Sequence, residues 1–185
     1  MEKYQIDKLK ESFEGFEGIV KNEFLHLNSE LLNFKPNNGS WSILECIAHL
    51  NLYSEYYLIE LQKIISKAEA SPKAQRIKWS WFGKISVEKI AISNNKKMKT
   101  FARMDPDNSQ LSIKVLEDFI IYNNQLKEMS QKCEHLNFNT RGVKVEFFKI
   151  LKLSLAETLI FMMEHQNRHL IQAQNVLKRQ SKAIV

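Results

Sequence analysis

Apolar residues recur at steps of three and four along most of this chain, and no alternating stretch is long enough to build a sheet. A 3.6-residue period dictates helices, each with one face that must find a partner. The breaks in the period fall where backbone chemistry puts them. Pro36, Pro72 and Pro106 lie between periodic segments, as do Gly39, Gly83 and Gly142. Proline ends or separates helices because it lacks an amide hydrogen and clashes with the preceding turn. Four long helices are expected.

The first is expected from about Ile6 to Leu32, with Ile6, Leu9, Phe13, Phe16, Val20, Phe24, Leu27 and Leu31 on one stripe. The second begins near Ser40 to Ser42 and runs to about Lys67. Ser42 and Glu45 have the spacing at which each side chain satisfies a free amide of the first turn. The apolar arc of this helix is wide, running through Ile43, Leu44, Ile47, Leu50, Leu52, Tyr56, Leu58, Leu61 and Ile65. A wide arc implies contact on more than one side and predicts a homodimer. The third helix spans about Gln110 to Cys133. The fourth runs from near Ser154 to about Gln180, with Ser154 and Glu157 repeating the capping spacing.

Residues 68–108 form a long connection between helices 2 and 3, with a short helix expected near Val87–Met98 and a turn at Asp105-Pro106-Asp107-Asn108. Asn137–Val143 reads as loop, and VKVEFFKILKLS as either a short strand or an extended loop. The fold class expected is all-α: a four-helix bundle forming one domain over residues 1–185.

Composition narrows the setting. No apolar run approaches the length of a membrane-spanning helix, and the charged, periodic N-terminus does not read as a signal peptide. Two cysteines, Cys46 and Cys133, make no disulfide framework. A cytoplasmic protein is expected. The net charge of +6 is uneven: residues 76–103 carry eight Lys or Arg, one acid (Glu88), and Trp79, Trp81 and Phe82. Basic residues interleaved with aromatics can hold nucleic acid. A solvated loop beside packed aromatics is the preferred reading, and nucleic acid is not expected as a partner.

The chemistry-bearing residues are histidines. His165 and His169 are four apart in MMEHQNRHLIQAQ and project from one helix face beside Phe161 and Met162. His49 lies far upstream in WSILECIAHL, on a face shared with Cys46, Tyr53 and Tyr56. Convergent neutral imidazoles from two packed helices would hold a divalent transition metal and leave a position open. On spacing alone, a metal site and a set of satisfied, half-buried histidines are equal readings. The H-E-x-x-H protease box is excluded, because Gln166 stands at its glutamate position.

WSILECIAHL resembles the W-S-x-x-E-x-x-x-H-L element of the DinB/YfiT-like superfamily, and HQNRHLIQ resembles its H-x-x-x-H-x-x-Q element. KMKTFARMDP followed by a helix is similar to that family's connection between its second and third helices. The resemblance implies a four-helix bundle, often dimeric, with a three-histidine site whose ligands map to His49, His165 and His169. It implies nickel or zinc as the metal, and includes thiol-dependent transferases of the bacillithiol, mycothiol or glutathione type.

Around the site, Glu45 is the candidate catalytic residue, as a base or an imidazole-orienting group, with capping as its alternative role. Cys46 is a candidate soft ligand against the alternative of a small buried hydrophobe. Arg168 could recognise a carboxylate, and Gln172 could stand behind a ligand. His26 and His135 are expected at the surface. The leading reading is a metal-dependent thiol S-transferase acting on a small molecule, with a metal-dependent hydrolase as a variant. A non-catalytic binding or stress-response module is the alternative.

Overall fold

A computed structural model of the chain describes residues 6–71, 76–94, 100–106 and 110–183, with no side-chain description for 6–7 and 181–183. The helices are α1 (Ile6–Ile19), α2 (Ser29–Asn33), α3 (Ile43–Ile65), α4 (Trp81–Ile90), α5 (Lys114–Cys133) and α6 (Leu155–Ala183). Four of them (α1, α3, α5 and α6) build the bundle. α1 packs on α5 and α6, and α3 packs on the same two, so α1 and α3 are not neighbours. The chain from α1 to α3 therefore crosses one end of the bundle instead of closing a tight hairpin. The core runs through its axis, with Phe13, Phe24, Leu50, Tyr57, Phe119, Leu126, Leu159 and Leu170 all buried. Each such side chain contributes about 1.5–3 kcal/mol by leaving water.

The four long helices match the expectation, with local differences. The expected first helix is not continuous. It passes into a π-helical turn over Val20–Phe24, ends, and restarts as α2. Asn28 causes the restart: its extended backbone and side-chain oxygen, which accepts from the Leu31 amide, cap a new helix. The short helix of the connection is Trp81–Ile90, earlier than expected, because the Ser80 hydroxyl accepts from the Gly83 amide and starts it there. Gly83 is consequently inside a helix and not in a gap. The connection's turn signal at Asp107 and Asn108, its Pro72, and Met98 lie outside the described residues.

The ambiguous stretch 143–154 is a hairpin. Strands β1 (Arg141–Lys144) and β2 (Lys152–Ser154) pair antiparallel, with Val143 opposite Leu153 and Lys144 opposite Lys152. Val143, Val145 and Leu153 are buried, so the hairpin contributes apolar residues to the core. Alternation over three or four residues is too short to distinguish a strand from a loop in sequence.

Glu157 ties the connection, the hairpin and α6 together. It is fully buried. One carboxylate oxygen accepts from the Ser154 amide at 2.9 Å and from Arg141 Nη1 at 2.9 Å; the other accepts from the Ser80 amide. The Ser154 hydroxyl accepts from the Glu157 amide, completing the capping box. Gly83 is required here, because a Cβ at that position would collide with the Glu157 carboxylate. Burial alone raises the Glu157 carboxyl. The Ser154 and Ser80 hydrogen bonds and the Arg141 charge outweigh it and hold the group below the ordinary carboxylate value.

A carboxylate lowered in this way stabilises the fold above its unfolded value of about 4.3, and that stabilisation is lost as pH falls through the folded value. Glu157→Gln is expected to cost about 3 kcal/mol at pH 7. The gap between parent and variant in urea unfolding narrows below about pH 4, where the parent's carboxylate takes up its proton. A gap that stays constant down to pH 3 would contradict this role.

Candidate metal centre

The site forms where α3 and α6 run antiparallel. Ring contacts fix the direction: Trp41 with His169, His49 with His165 and His169, Tyr53 with His165 and Phe161, Tyr57 with Phe161. Advancing along α3 thus means retreating along α6. The capping box at Ser42 and Glu45 sets the start of α3, and with it the depth of His49, which lies about two turns in. Spacing of four on α6 stacks His165 and His169 on one side with ring centroids 4.8 Å apart.

Sequence-distant imidazoles converge. His49, His165 and His169 are all buried, and one ring nitrogen from each lies within 4.8 Å of the others. Among the described residues no carboxylate or thiol joins this group. His49 Nε2 faces His165 Nε2 at 3.0 Å.

Hydrogen bonding sets which nitrogen is bare. His49 Nδ1 is 2.6 Å from the Met104 carbonyl, which can only accept, so Nδ1 carries the proton and Nε2 turns a lone pair to the centre. His169 Nδ1 donates to Gln172 Oε1 at 3.0 Å, leaving its Nε2 bare as well. Burial is the first cause that lowers all three imidazoles. His49 is held down to about 4, against the opposing pull of the Met104 carbonyl and Asp105. Burial and the neighbouring rings hold His165 and His169 well below the ordinary histidine value. The rings are therefore neutral at pH 7, the state a metal ligand requires.

This donor set fits a divalent transition ion. Two nitrogens bound at about 2.0–2.1 Å to one ion stand roughly 3 Å apart, which is the separation found. Without a cation, a proton on His165 Nε2 must bridge to His49, and His165 Nδ1 is then a buried acceptor with no hydrogen-bond partner. Aromatic rings wall the centre: Trp41 lies 4.8 Å from His49 and 5.6 Å from His169, and Tyr53 lies 4.5 Å from His165 between ring centroids.

The other sequence candidates divide. Glu45 stands apart from the imidazole group. One of its oxygens accepts from the Ser42 amide at 2.8 Å and the other pairs with Lys35 at 2.8 Å, so its carboxylate serves the helix start. Gln172 orients His169. Arg168 Nη1 donates to the carbonyls of Asn94 (2.8 Å) and Ala91 (3.4 Å), fastening the end of α4 to α6. Of the basic window's aromatics Trp81 is exposed at 79% and Phe101 is exposed as well, while Trp79 and Phe82 pack on the core. His26 and His135 are exposed. Sequence reading missed the Met104 carbonyl, since a backbone acceptor leaves no residue-type signal. It also missed Trp41 as a wall, although the tryptophan stands in the same string as His49.

A family model described as the DinB superfamily matches residues 23–173. No curated protein matches the chain. Among solved structures, YfiT from Bacillus subtilis, described as a probable metal-dependent hydrolase with an unusual four-helix bundle topology, superposes with a TM-score of 0.57. The superposition covers 97% of this chain and 89% of that one, at 14% identity. No helix among the described residues is long and apolar enough to cross a membrane.

Neither cysteine belongs to the centre. Cys46 and Cys133 are free and fully buried. Burial, then the Glu45 charge, pushes the Cys46 thiol far above its ordinary value, and burial raises Cys133 to about 12. Thiolate is the reactive form, so both are expected to resist an aromatic disulfide reagent in the native protein at pH 8 and to react fully in 6 M guanidinium. Rapid native labelling of Cys46 would show that the α3 face opens.

Proposed function

Because the chain belongs to the DinB superfamily, we propose that it is a metal-dependent enzyme whose ion, nickel or zinc, is held by His49, His165 and His169 and which uses a low-molecular-weight thiol to attack a small electrophile. The observation that carries this reading is the bare Nε2 of His49 standing 3.0 Å from His165 Nε2, with the His169 imidazole alongside and all three rings buried. Water satisfies such lone pairs at a surface. In a buried, ring-walled centre a cation satisfies them best.

Bound there, a divalent ion supplies Lewis acidity that lowers the pKa of a thiol or water beside it. The chain's own residues supply the rest. The Met104 carbonyl and Gln172 hold two rings in the ligating tautomer. Trp41, Tyr53 and Phe161 narrow the access of water to the imidazoles. Tyr53, its hydroxyl kept protonated by burial and by Glu146 and raised to about 12, is a hydrogen-bond donor beside His165. The absence of a carboxylate from the imidazole group, among the described residues, favours a nucleophile that needs no general base. A thiol, with an ordinary pKa near 8.5, meets that condition more easily than water.

Hydrolysis is the second reading, supported by the description of YfiT. A metal-anchored binding module without turnover is a third. Elemental analysis of untagged protein distinguishes the metal readings from the rest: the expected outcome is close to one transition-metal ion per chain in the parent and a large loss in His49→Ala and His165→Ala. Protein that folds and purifies with no metal and binds none on titration removes all three. In the loaded protein, thiol-dependent consumption of a generic electrophile supports the transferase, whereas ester hydrolysis without thiol supports the hydrolase.

The wide arc of α3 supports a homodimer, since Ile59 on that helix is 56% exposed. Sedimentation is expected to give twice the chain mass at micromolar concentration, and Ile59→Glu to shift it toward the monomer.

A further inference from the structure

The hairpin and the connection meet at an ion pair that the proposed chemistry does not use. Arg103 Nε pairs with Glu146 Oε1, and Arg103 Nη2 donates to the Glu146 backbone carbonyl. One guanidinium thereby grips both the side chain and the backbone of a single hairpin residue. Beside it, Phe101 and Phe147 stack with ring centroids 4.8 Å apart and 15° between planes. On the inner side the Glu146 amide donates to the Tyr57 hydroxyl at 3.5 Å.

Glu146 is only 2% exposed, and its second oxygen is buried with no hydrogen-bond partner. The Arg103 side chain is 56% exposed, so water screens the attraction on one side while the Glu146 carboxylate still bears the cost of burial, and the pair contributes little net stability. Its geometry offers another role. Arg103 belongs to a single 3₁₀ turn, Ala102–Met104, on the long connection. The next residue is Met104, whose carbonyl fixes the proton on His49 Nδ1. Met104 itself packs into the core and the turn touches α3, so the ion pair acts on a turn already seated beside His49.

We infer that Arg103 and Glu146 are positioning residues that clamp the Ala102–Met104 turn to the hairpin and so aim the Met104 carbonyl at His49, fixing the tautomer and the direction of this imidazole. The inference rests on the metal reading for its use but not for its geometry. The hairpin reaches His49 through a relay in which the Glu146 carboxylate holds the Arg103 guanidinium, the backbone joins Arg103 to Met104, and the Met104 carbonyl accepts from His49 Nδ1–H. An Arg is suited to the post because its Nε and Nη2 form a planar fork that a lysine lacks.

The test uses the full, untagged chain in four forms: parent, Arg103→Gln, Arg103→Lys and Glu146→Gln. Two readouts are taken on each. The first is nitrogen-resolved NMR of metal-free, ¹⁵N-histidine-labelled protein, following the His49 Nδ1–H. The second is Zn²⁺ affinity by competition with a chromophoric chelator. In the parent, a slowly exchanging Nδ1–H with its proton on one nitrogen is expected. In Arg103→Gln and Glu146→Gln that proton exchanges at least tenfold faster, and Zn²⁺ affinity falls about 10–100-fold, the range for loss of a group that orients a ligand. The double variant Arg103→Gln/Glu146→Gln is expected to be no worse than either single, because both act through one relay. Arg103→Lys recovers neither readout fully. If the parent binds no Zn²⁺, the metal reading fails, and the NMR readout still judges the clamp. An unchanged His49 Nδ1–H in variants whose circular dichroism matches the parent overturns the inference, as does a full recovery by lysine.

Discussion

The constraint on which this structure depends is the burial of three neutral imidazoles crowded about one point. An unpartnered polar atom in the interior costs on the order of 1–3 kcal/mol, and here His165 Nδ1 is buried with no hydrogen-bond partner while its Nε2 meets His49 Nε2 at 3.0 Å. Nothing in helix packing asks for that arrangement. Leucines at the same positions would pack α3 on α6 at no such cost. The surrounding elements are then best understood by what each does to hold the rings: the Ser42 cap fixes the register of α3, Gln172 holds one ring from its own helix, and Met104 holds another from the connection.

The connectivity follows from the same requirement. Neighbouring α3 and α6 carry the three histidines, while the diagonal placement of α1 and α3 leaves the chain to cross the bundle end. The 3₁₀ turn of the long connection is thereby free to lie over His49, and the hairpin before α6 lies against that turn through Glu146. Glu157 performs a related task in the first turn of α6. Its carboxylate gathers Ser80, Arg141 and Ser154, so that α4, the hairpin and the α6 terminus share one buried anion. Glu146 and Glu157, both buried, each fasten the connection to the hairpin region, and those segments carry or support the groups that orient the centre.

Much of this was legible in the sequence, and the illegible part has a physical reason. The helices were readable because a bundle helix repeats its burial every 3.6 residues over many turns, so α3, α5 and α6 announce themselves. The capping pairs Ser42/Glu45 and Ser154/Glu157 were readable because both partners are local. The three histidines were readable from spacing and from the strings around them, although that they meet is a property of the fold. The break at Asn28 was hidden inside a stripe that continues through it, with Leu27 and Leu31 still half-buried on the inner side. The hairpin was too short to show a period. The Met104 carbonyl and the Arg103–Glu146 pair join residues far apart in sequence, through backbone oxygen or an ordinary-looking charge, and no composition or motif signals such contacts.

The character of the donor set bears on the choice of nucleophile. Three neutral imidazoles leave the full charge of a divalent ion uncompensated, so an anion is strongly favoured beside it. A metalloprotease-type site spends part of that advantage on a glutamate base, and the position where such a base would stand on α6 is here Gln166, which is fully buried and cannot accept a proton. Glu45, the nearest acid along α3, is committed to the Ser42 amide and Lys35. A reaction suited to this centre is one whose nucleophile sheds its proton under the influence of charge alone. Thiols meet that demand with a few units of pKa shift and need little from the protein beyond shape. The chain's own thiols are sealed in the core at raised pKa, so under the proposed thiol chemistry the thiol would come from outside the chain.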